Sequence, residues 1–308
     1  MEKTYDGNMA RCDLCICDCC FDAGALLRRK GCLPEDTETG GTKMNVTMNQ
    51  NADYGNWVPA KMLRAGGILS AAAFGICGAG ILGGKKAPAV TGAVMGTAGL
   101  CFTAYMKKCS DLFDFKKGGM MGKMHEYLLR NLTWDGKGRL LDIGCGAGAL
   151  TLRCAKHYPD AQLTGIDYWG VEWNYAKEQC EKNAEIEGAE SRVDFRKGDA
   201  AHLDFPEETF DAAVSNFVFH EVRSAKDKRD VVREALRILK KGGRFAFQDM
   251  FAQESLYGDM EEFVRELKKE GIAEIHYIGN VEKKVDFVPK YACTPWMISG
   301  VGILYGTK

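Results

Sequence analysis

The stretch Leu140-Leu141-Asp142-Ile143-Gly144-Cys145-Gly146-Ala147-Gly148 decides the fold of this 308-residue chain. Its apolar first half predicts a buried β-strand, and its glycines predict a tight turn into a helix. Glycine permits positive φ and lets backbone amides approach a ligand closely, because it has no Cβ. The amides at the start of the following helix favour a negatively charged group. The stretch therefore predicts a strand, turn and helix that bind a small ligand.

The glycine spacing and the acid before it narrow the class of ligand. Dinucleotide-binding folds use G-x-G-x-x-G, which leaves room for a pyrophosphate. Here Gly144, Gly146 and Gly148 fall at G-x-G-x-G, with Asp142 just before them. A carboxylate in that place attracts an ammonium group and repels a pyrophosphate. The pattern favours the methionine end of S-adenosylmethionine, and a nicotinamide dinucleotide is the weaker alternative.

Strand-like and helix-like stretches alternate from about Gly122 to Lys308, which predicts an α/β fold with a mostly parallel sheet and helices on both faces. The predicted strands are Arg139–Ile143, Gln162–Ile166, Val193–Lys197, Phe210–Ser215, Arg244–Asp249, Glu274–Ile278 and Val301–Tyr305. The predicted helices are Leu150–Tyr158, Asn174–Glu187 and Lys226–Leu239. Gly188 follows the second of these helices, and Gly242-Gly243 follow the third, as expected where helices end.

Polar residues follow several of these strands. Asp167 ends the second strand, where a carboxylate accepts from both ribose hydroxyls, and Tyr168 beside it offers adenine an aromatic face. Asp199 ends the third strand and is placed to accept from the adenine amino group, with Ala200 next to it. Asn216 follows the fourth strand, near the methionine end. Together they predict one ligand site at the carboxyl edge of the sheet.

These motifs resemble the class I S-adenosylmethionine-dependent methyltransferases from about Tyr127 to Phe251, and more loosely to Lys308. The matching stretches are 141–148, Asp167, 198–200, 210–216 and 239–244. The resemblance implies a Rossmann-like sheet of seven strands in the order 3-2-1-4-5-7-6, the last strand antiparallel, and S-adenosylmethionine as cofactor. It implies cofactor contacts at Asp142, Gly144, Cys145, Gly146, Gly148, Asp167, Tyr168, Asp199, Ala200 and Asn216.

Two uncharged runs, Gly66 to Gly84 and Ala87 to Met106, precede this region. At ~1.5 Å per residue each is long enough to cross a hydrocarbon core of ~30 Å, so they predict a Gly/Ala-rich membrane hairpin. The glycine pairs 80/84 and 92/96 have the spacing that lets membrane helices pack closely. The flanking basic residues are Lys61, Arg64, Lys107, Lys108, Lys116 and Lys117, which predicts a cytoplasmic catalytic domain. The alternative is a pair of buried helices that cap a soluble enzyme.

The sequence therefore divides into a polar leader and lid (1–60), the hairpin (61–110) and a methyltransferase domain (111–308). The stretch 53–59 before the hairpin also resembles a bacterial subgroup with two predicted membrane helices. In it, Tyr54 and Trp57 are predicted to lie at the bilayer interface, to cover the cofactor, or to do both. The leader holds Cys12, Cys15, Cys17, Cys19 and Cys20, for which soft-metal binding, an acylated anchor or no role at all are open; the spacing predicts no zinc site.

The function implied is methyl transfer to a small apolar acceptor that partitions into the membrane. His220, after the fourth strand, is the candidate general base for a protic acceptor. Trp296 and Met297, with Tyr291, are candidate substrate contacts. The alternative function is a membrane sensor or scaffold that binds the cofactor without turnover. The formal net charge of −1 argues against nucleic acid as a partner, and the sequence indicates no oligomeric state.

Overall fold

A seven-stranded sheet forms the centre of the computed structural model, which describes residues 46–115, 119–170 and 177–308. The strands are β1 (Gly138–Ile143), β2 (Ala161–Asp167), β3 (Val193–Lys197), β4 (Phe210–Asn216), β5 (Leu239–Asp249), β6 (Glu274–Gly279) and β7 (Gly302–Thr307). The helices are α1 (Ala60–Leu82), α2 (Lys86–Phe113), α3 (Met120–Asn131), α4 (Ala149–His157), α5 (Lys177–Glu187), α6 (Lys228–Arg237), α7 (Glu254–Tyr257) and α8 (Met260–Lys269). The leader cysteines lie outside the described residues.

The sheet order is β3-β2-β1-β4-β5-β7-β6, and β7 alone of these strands runs antiparallel to its neighbours. One apolar layer packs α3, α4 and α5 against the sheet, and the other packs α6 and α8. The predicted Rossmann-like fold class, strand order and antiparallel last strand are therefore confirmed.

The start of β5 differs from the prediction. The sequence predicts a helix through Leu239, whereas α6 ends at Arg237 and the chain enters the sheet at Leu239. Leu239 pairs with Phe210, and the register then shifts before the next pair. The sequence predicts that Gly242 and Gly243 follow the end of a helix. In the structure they lie inside β5, where Gly242 has a φ of +79° and the strand is irregular.

The helices α1 and α2 pack against each other through small residues. A Cβ on Gly92 would lie 2.5 Å from the carbonyl oxygen of Ala73, and one on Gly80 would lie 2.5 Å from the nitrogen of Ala89. Such contacts require glycine, as expected for closely packed membrane helices. Gly84 differs from the prediction, because it lies past the end of α1, where an added Cβ would meet no atom within 4 Å.

Both helices are long and apolar enough to cross a membrane, judged by length and composition. Only 17% of the apolar window of each helix is buried, whereas the core helix of a soluble protein is mostly buried. The exposed large apolar residues of the hairpin are Met62, Ile68, Leu69, Phe74, Ile76, Ile81, Leu82, Val90, Val94, Met95, Leu100 and Phe102. This exposure does not fit the alternative of two buried capping helices.

The carboxyl end of α2 belongs to the catalytic core. Met106, Cys109 and Phe113 are buried there, and Tyr105 donates a hydrogen bond to the carbonyl of Tyr291 at 3.1 Å. One helix thus runs from the exposed hairpin into the core, across the expected domain boundary at residue 110. The hairpin is held to the domain by a continuous helix.

Candidate functional site

A cavity of about 850 Å³ opens at the carboxyl edge of the sheet. Of the predicted cofactor residues, all but Gly148 line it, and so does His220. They come from the ends of β1, β2, β3 and β4, as the parallel topology requires. The structure therefore brings the sequence-predicted residues together in one place.

The turn after β1 depends on glycine at its first position. Gly144 has a φ of +76°, and a Cβ there would lie 2.2 Å from a methyl carbon of Val218. The amides of Gly144 and Cys145 both donate to the carbonyl of Ile166, at 2.8 and 2.9 Å. The turn is thus held against the neighbouring strand β2, and the side chain of Val218 packs directly on Gly144.

Asp142 is a buried carboxylate at the wall of the cavity. Its side chain is 1% exposed, and the Thr151 hydroxyl donates to Oδ2 at 2.5 Å. Burial raises the pKa of Asp142 to about 7; the Thr151 hydrogen bond opposes this rise, and the charge of Asp167 adds to it. A cation placed beside Asp142 would lower that pKa again.

Asp167 is held in a fixed orientation by backbone amides. The amide of Gly146 donates to Oδ2 and that of Trp169 to Oδ1, each at 2.8 Å. The Trp169 indole in turn donates to the carbonyl of Gly146 at 3.0 Å. Burial raises the pKa of Asp167, and these amide hydrogen bonds oppose the rise. The Tyr168 amide is a further donor, and the carboxylate still has acceptor capacity left for a ligand.

Asp199, just after β3, and Tyr168, just after β2, also line the cavity. Asp199 accepts hydrogen bonds at Oδ1 from the Ala201 amide and the Ser224 hydroxyl, both at 2.9 Å. Tyr168 is 65% exposed, and the Lys197 ammonium lies 5.3 Å from its ring centroid. An aromatic face and a carboxylate thus flank the same opening of the cavity.

Residues 46–59, here called the lid, cover the cavity. The Tyr54 hydroxyl donates to Glu187 Oε1 at 2.6 Å, and the Asn183 amide bridges the carbonyls of Asp53 and Ala147 at 2.7 and 2.9 Å. The Trp57 ring lies 5.1 Å from that of Phe217, centroid to centroid. Tyr54 and Trp57 both line the cavity. Both residues therefore lie at the site, and the start of α1 follows them directly at Ala60.

His220, the predicted general base, lies between two carboxylates. Its Nδ1 lies 2.8 Å from Asp249 Oδ1 and its Nε2 lies 3.4 Å from Glu221 Oε1. Burial lowers its pKa, but the charge and hydrogen bond of Asp249 outweigh burial and raise the pKa to about 10. An imidazolium at neutral pH has no lone pair with which to accept a proton. The geometry instead supports a positioning role at the end of β5.

His125, on α3, is a cavity residue that the sequence reasoning missed. The side-chain oxygen of Asn216 accepts a hydrogen bond from Gln248 Nε2 at 2.9 Å. The Asn216 Nδ2 group lies 3.2 Å from His125 Nε2 and donates to it. The His125 proton then resides on Nδ1, which has no partner among the described residues. Burial and the charge of Arg153 lower the pKa of His125, which keeps the ring neutral. No motif marks this position; helical periodicity marks it only as buried.

The other half of the cavity is apolar. Its lining residues from the lid, the hairpin and the core are Trp57, Val58, Pro59, Met62, Met106, Phe113, Phe115, Met121, Met250, Trp296 and Met297. Met62 belongs to α1 and Met106 to α2, so both hairpin helices contribute to the wall. Of the three candidate substrate contacts, Trp296 and Met297 line the cavity, whereas the Tyr291 carbonyl accepts a hydrogen bond from Tyr105 on α2.

Replacing His220 with Gln tests the buried ion pair. Because the folded pKa of about 10 lies above the unfolded value of about 6.5, the protonated ring stabilises the fold fully below about pH 6.5. That stabilisation is lost as the pH rises toward 10. We expect the free energy of unfolding, measured in urea across this range, to decline less in the variant than in wild type. An NMR titration in which the His220 ring deprotonates near its ordinary pKa would contradict the assignment.

Comparisons with known proteins identify relatives of the catalytic domain. Residues 141–247 match the family model described as a methyltransferase domain. The phosphatidylethanolamine N-methyltransferase of Cereibacter sphaeroides is 35% identical over 46% of this chain and 65% of its own length. The sterol 24-C-methyltransferase erg6 of Aspergillus fumigatus is 30% identical over 46% of this chain and 36% of its own length.

A benzoquinol methylase of Caenorhabditis elegans, the mitochondrial 2-methoxy-6-polyprenyl-1,4-benzoquinol enzyme, is 28% identical over 47% of this chain and 49% of its own length. The chain thus spans between about a third and two thirds of the length of these curated relatives. A solved geranyl diphosphate methyltransferase complex with S-adenosylmethionine aligns with a TM-score of 0.48 and 15% identity, covering 64% of this chain and 93% of that one. S-adenosylmethionine is the family's cofactor. The chain therefore carries a class I S-adenosylmethionine-dependent methyltransferase domain.

Proposed function

We propose that this protein transfers a methyl group from S-adenosylmethionine to a small apolar acceptor that reaches the site from a membrane. One observation carries the proposal: a single cavity joins the polar edge of the sheet to the base of the apolar hairpin, at Met62 and Met106. A soluble acceptor would need no such wall. The names of the relatives above, which include a sterol and a phospholipid methyltransferase, agree with a lipid-like acceptor.

The cofactor occupies the polar end of the cavity in this proposal. Asp142 meets the ammonium group, Asp167 the ribose hydroxyls, and Asp199 the adenine amino group beside Ala200. The turn residues Gly144, Cys145 and Gly146 bring backbone close to the methionine part, Gly148 starts the helix behind them, and Tyr168 covers the adenine. Each assignment follows from the side chain's place along the edge of the sheet and from its free hydrogen-bonding capacity.

We propose that His125, which lines the cavity although its Nδ1 is enclosed, binds the methionine carboxylate. Asn216 fixes the ring so that Nδ1 carries the proton, and this N–H has no protein partner within the described chain. A buried donor without a partner costs about 1–3 kcal/mol, so a ligand oxygen that accepts from it gains affinity. The nearby charge of Arg153 also favours a negative group in this place.

The reaction needs little from the protein beyond alignment. A sulfonium carries its methyl group already activated, and transfer is an in-line displacement by the acceptor. The lid excludes water from the reacting atoms, and the apolar wall holds the acceptor opposite the methyl group. A protonated His220 cannot take a proton from the acceptor. The site therefore favours an acceptor whose attacking atom carries no proton that must be removed first.

The membrane placement follows from the hairpin. Its exposed apolar surface has no protein cover in the described chain, and basic residues flank its base, including Lys61, Arg64 and Lys108. The positive-inside rule then puts the catalytic domain on the cytoplasmic face. We propose that the hairpin spans the bilayer between about Met62 and Met106, and that the last turns of α2 belong with residues 111–308 to the methyltransferase domain.

Cofactor affinity should depend on the ionisation of Asp142. Because burial raises its pKa to about 7, the carboxyl is partly protonated at neutral pH until an ammonium group binds. We expect the affinity for S-adenosylhomocysteine, measured by calorimetry, to increase as the pH rises through about 7 and then to level off. Thr151→Val removes a hydrogen bond that lowers this pKa, so its midpoint should move to higher pH, while Asp142→Asn should lose the dependence. A flat wild-type profile would sink the assignment.

The His125 assignment is tested with a variant of similar ring size. His125→Phe removes the Nδ1–H donor, and a hydrogen bond to a charged group contributes about 1.5–3 kcal/mol, so the affinity for S-adenosylhomocysteine should fall about tenfold or more. The decarboxylated analogue should bind wild type and variant equally. An equal loss for both ligands would show that the residue only supports the fold.

Labelled methyl transfer tests the function as a whole. The purified protein in lipid vesicles is incubated with methyl-labelled S-adenosylmethionine and a bacterial membrane lipid extract, and label is counted in the organic phase. We expect transfer by wild type and none by Asp167→Ala, which should also lose S-adenosylhomocysteine binding. Binding without transfer would favour the alternative of a cofactor-binding sensor. No binding by the folded wild-type protein would overturn the site itself.

A further inference from the structure

The segment Lys290–Met297, here called the rim segment, lies against the base of the hairpin. Tyr105 on α2 donates to the carbonyl of Tyr291 at 3.1 Å, and its hydroxyl lies 3.3 Å from that of Thr294. The Lys108 ammonium lies 4.1 Å from the Tyr291 ring centroid. The rim segment is therefore fixed beside the point where α2 leaves the catalytic domain.

Trp296 is exposed at this place although it is large and apolar. It is 68% exposed and also lines the cavity, as does its neighbour Met297. Ala292 within the segment and Ile298 just after it are fully buried, so the chain is anchored on both sides of Trp296. An indole held out into solvent on a well-anchored segment is typical of the membrane–water interface, where an amphipathic ring is most stable.

The position of the cavity along the length of the hairpin agrees with a place at the membrane–water interface. Met62 precedes Leu82, at the tip end of α1, by 20 residues, and Met106 follows Lys86, at the tip end of α2, by 20 residues. At ~1.5 Å per residue both methionines lie about 30 Å from the tip, which is about the thickness of a hydrocarbon core. The two hairpin residues that line the cavity thus lie at one depth, at the edge of the bilayer.

Basic residues at the same level of the hairpin favour contact with a leaflet of anionic lipids. Exposed basic residues surround the hairpin base and the start of the rim segment: Lys61, Arg64, Lys107, Lys108 and Lys290. Lys107 is paired with Asp111. Basic residues at a membrane surface are attracted to anionic headgroups by about 1 kcal/mol each.

We propose that the rim segment is a second membrane contact, and that the cavity opens sideways into the bilayer between Trp296, Met62 and Met106. The acceptor class is then an amphiphile whose hydrocarbon part stays in the lipid while its reactive group enters the cavity. This inference rests on the proposed function, because it takes the hairpin as membrane-spanning. It adds the route of entry and a contact outside the hairpin.

Quenching by brominated lipids tests the contact. The full chain is placed in vesicles of phosphatidylethanolamine and phosphatidylglycerol that carry bromine either near the headgroup end or near the terminal methyl of the acyl chains. Bromine near the headgroup end should quench part of the tryptophan fluorescence, and Trp296→Phe should remove most of that quenched part. Trp134→Phe is the matched control, because Trp134 packs on Tyr158 within the catalytic domain, and it should leave the quenched part unchanged.

Vesicle flotation in the same samples separates the two proposals. Protein that does not float with the vesicles after an alkaline wash would overturn the membrane part of the proposed function. Protein that floats, but whose quenched fluorescence is the same in wild type and Trp296→Phe, would overturn the rim contact alone. Stronger quenching of Trp296 by bromine near the terminal methyl would also overturn it, because the indole would then lie too deep for an interfacial mouth.

Discussion

The parallel pairing of β1 with both β2 and β4 is the constraint on which the rest of the site depends. Asp142 lies opposite Gly165 on one side and Val214 on the other, so the carboxyl ends of three strands meet at one edge. The chain leaves β1 through the glycine turn, which rests on the carbonyl of Ile166 in β2. A cleft must form there, because the connections on the two sides of β1 lead away from each other. Lid, hairpin base and rim segment are all arranged around that cleft.

Much of this arrangement is readable from local sequence. Alternation of apolar strands and helices, the glycine turn and the acids after each strand predict the sheet and its polar edge, since these signals depend on neighbours a few residues apart. The features that the sequence reasoning missed depend on distant partners. The pKa of His220 is set by Asp249 on another strand, and the role of His125 follows from Asn216, 91 residues away. The start of β5 is set by the pairing of Leu239 with Phe210, which the local sequence does not reveal.

The attachment of the hairpin is another feature that local sequence does not reveal. Charge and hydropathy suggest that an anchor ends near residue 110 and a domain begins there. The described helix continues to Phe113, and its last turns lie in the catalytic core. Such an attachment differs from a flexible tether, which only raises the local concentration of a site near the membrane. A helix shared by both parts also fixes the orientation of the site, so that one side of the cavity always faces the hairpin.

The lid contacts the cofactor end of the cavity and holds to helices beside it. Its hydrogen bonds reach Glu187 and Asn183 on α5, and Asn183 also holds the carbonyl of Ala147 in the glycine turn. In the proposed arrangement the nucleoside therefore enters and leaves on the aqueous side by displacing the first part of the lid, up to Tyr54, while Trp57 and Val58 stay with the acceptor end. Spent cofactor and methylated amphiphile then depart into different phases. Product inhibition would accordingly divide in two, one part set by the concentration of spent cofactor in water and the other by the mole fraction of product in the bilayer.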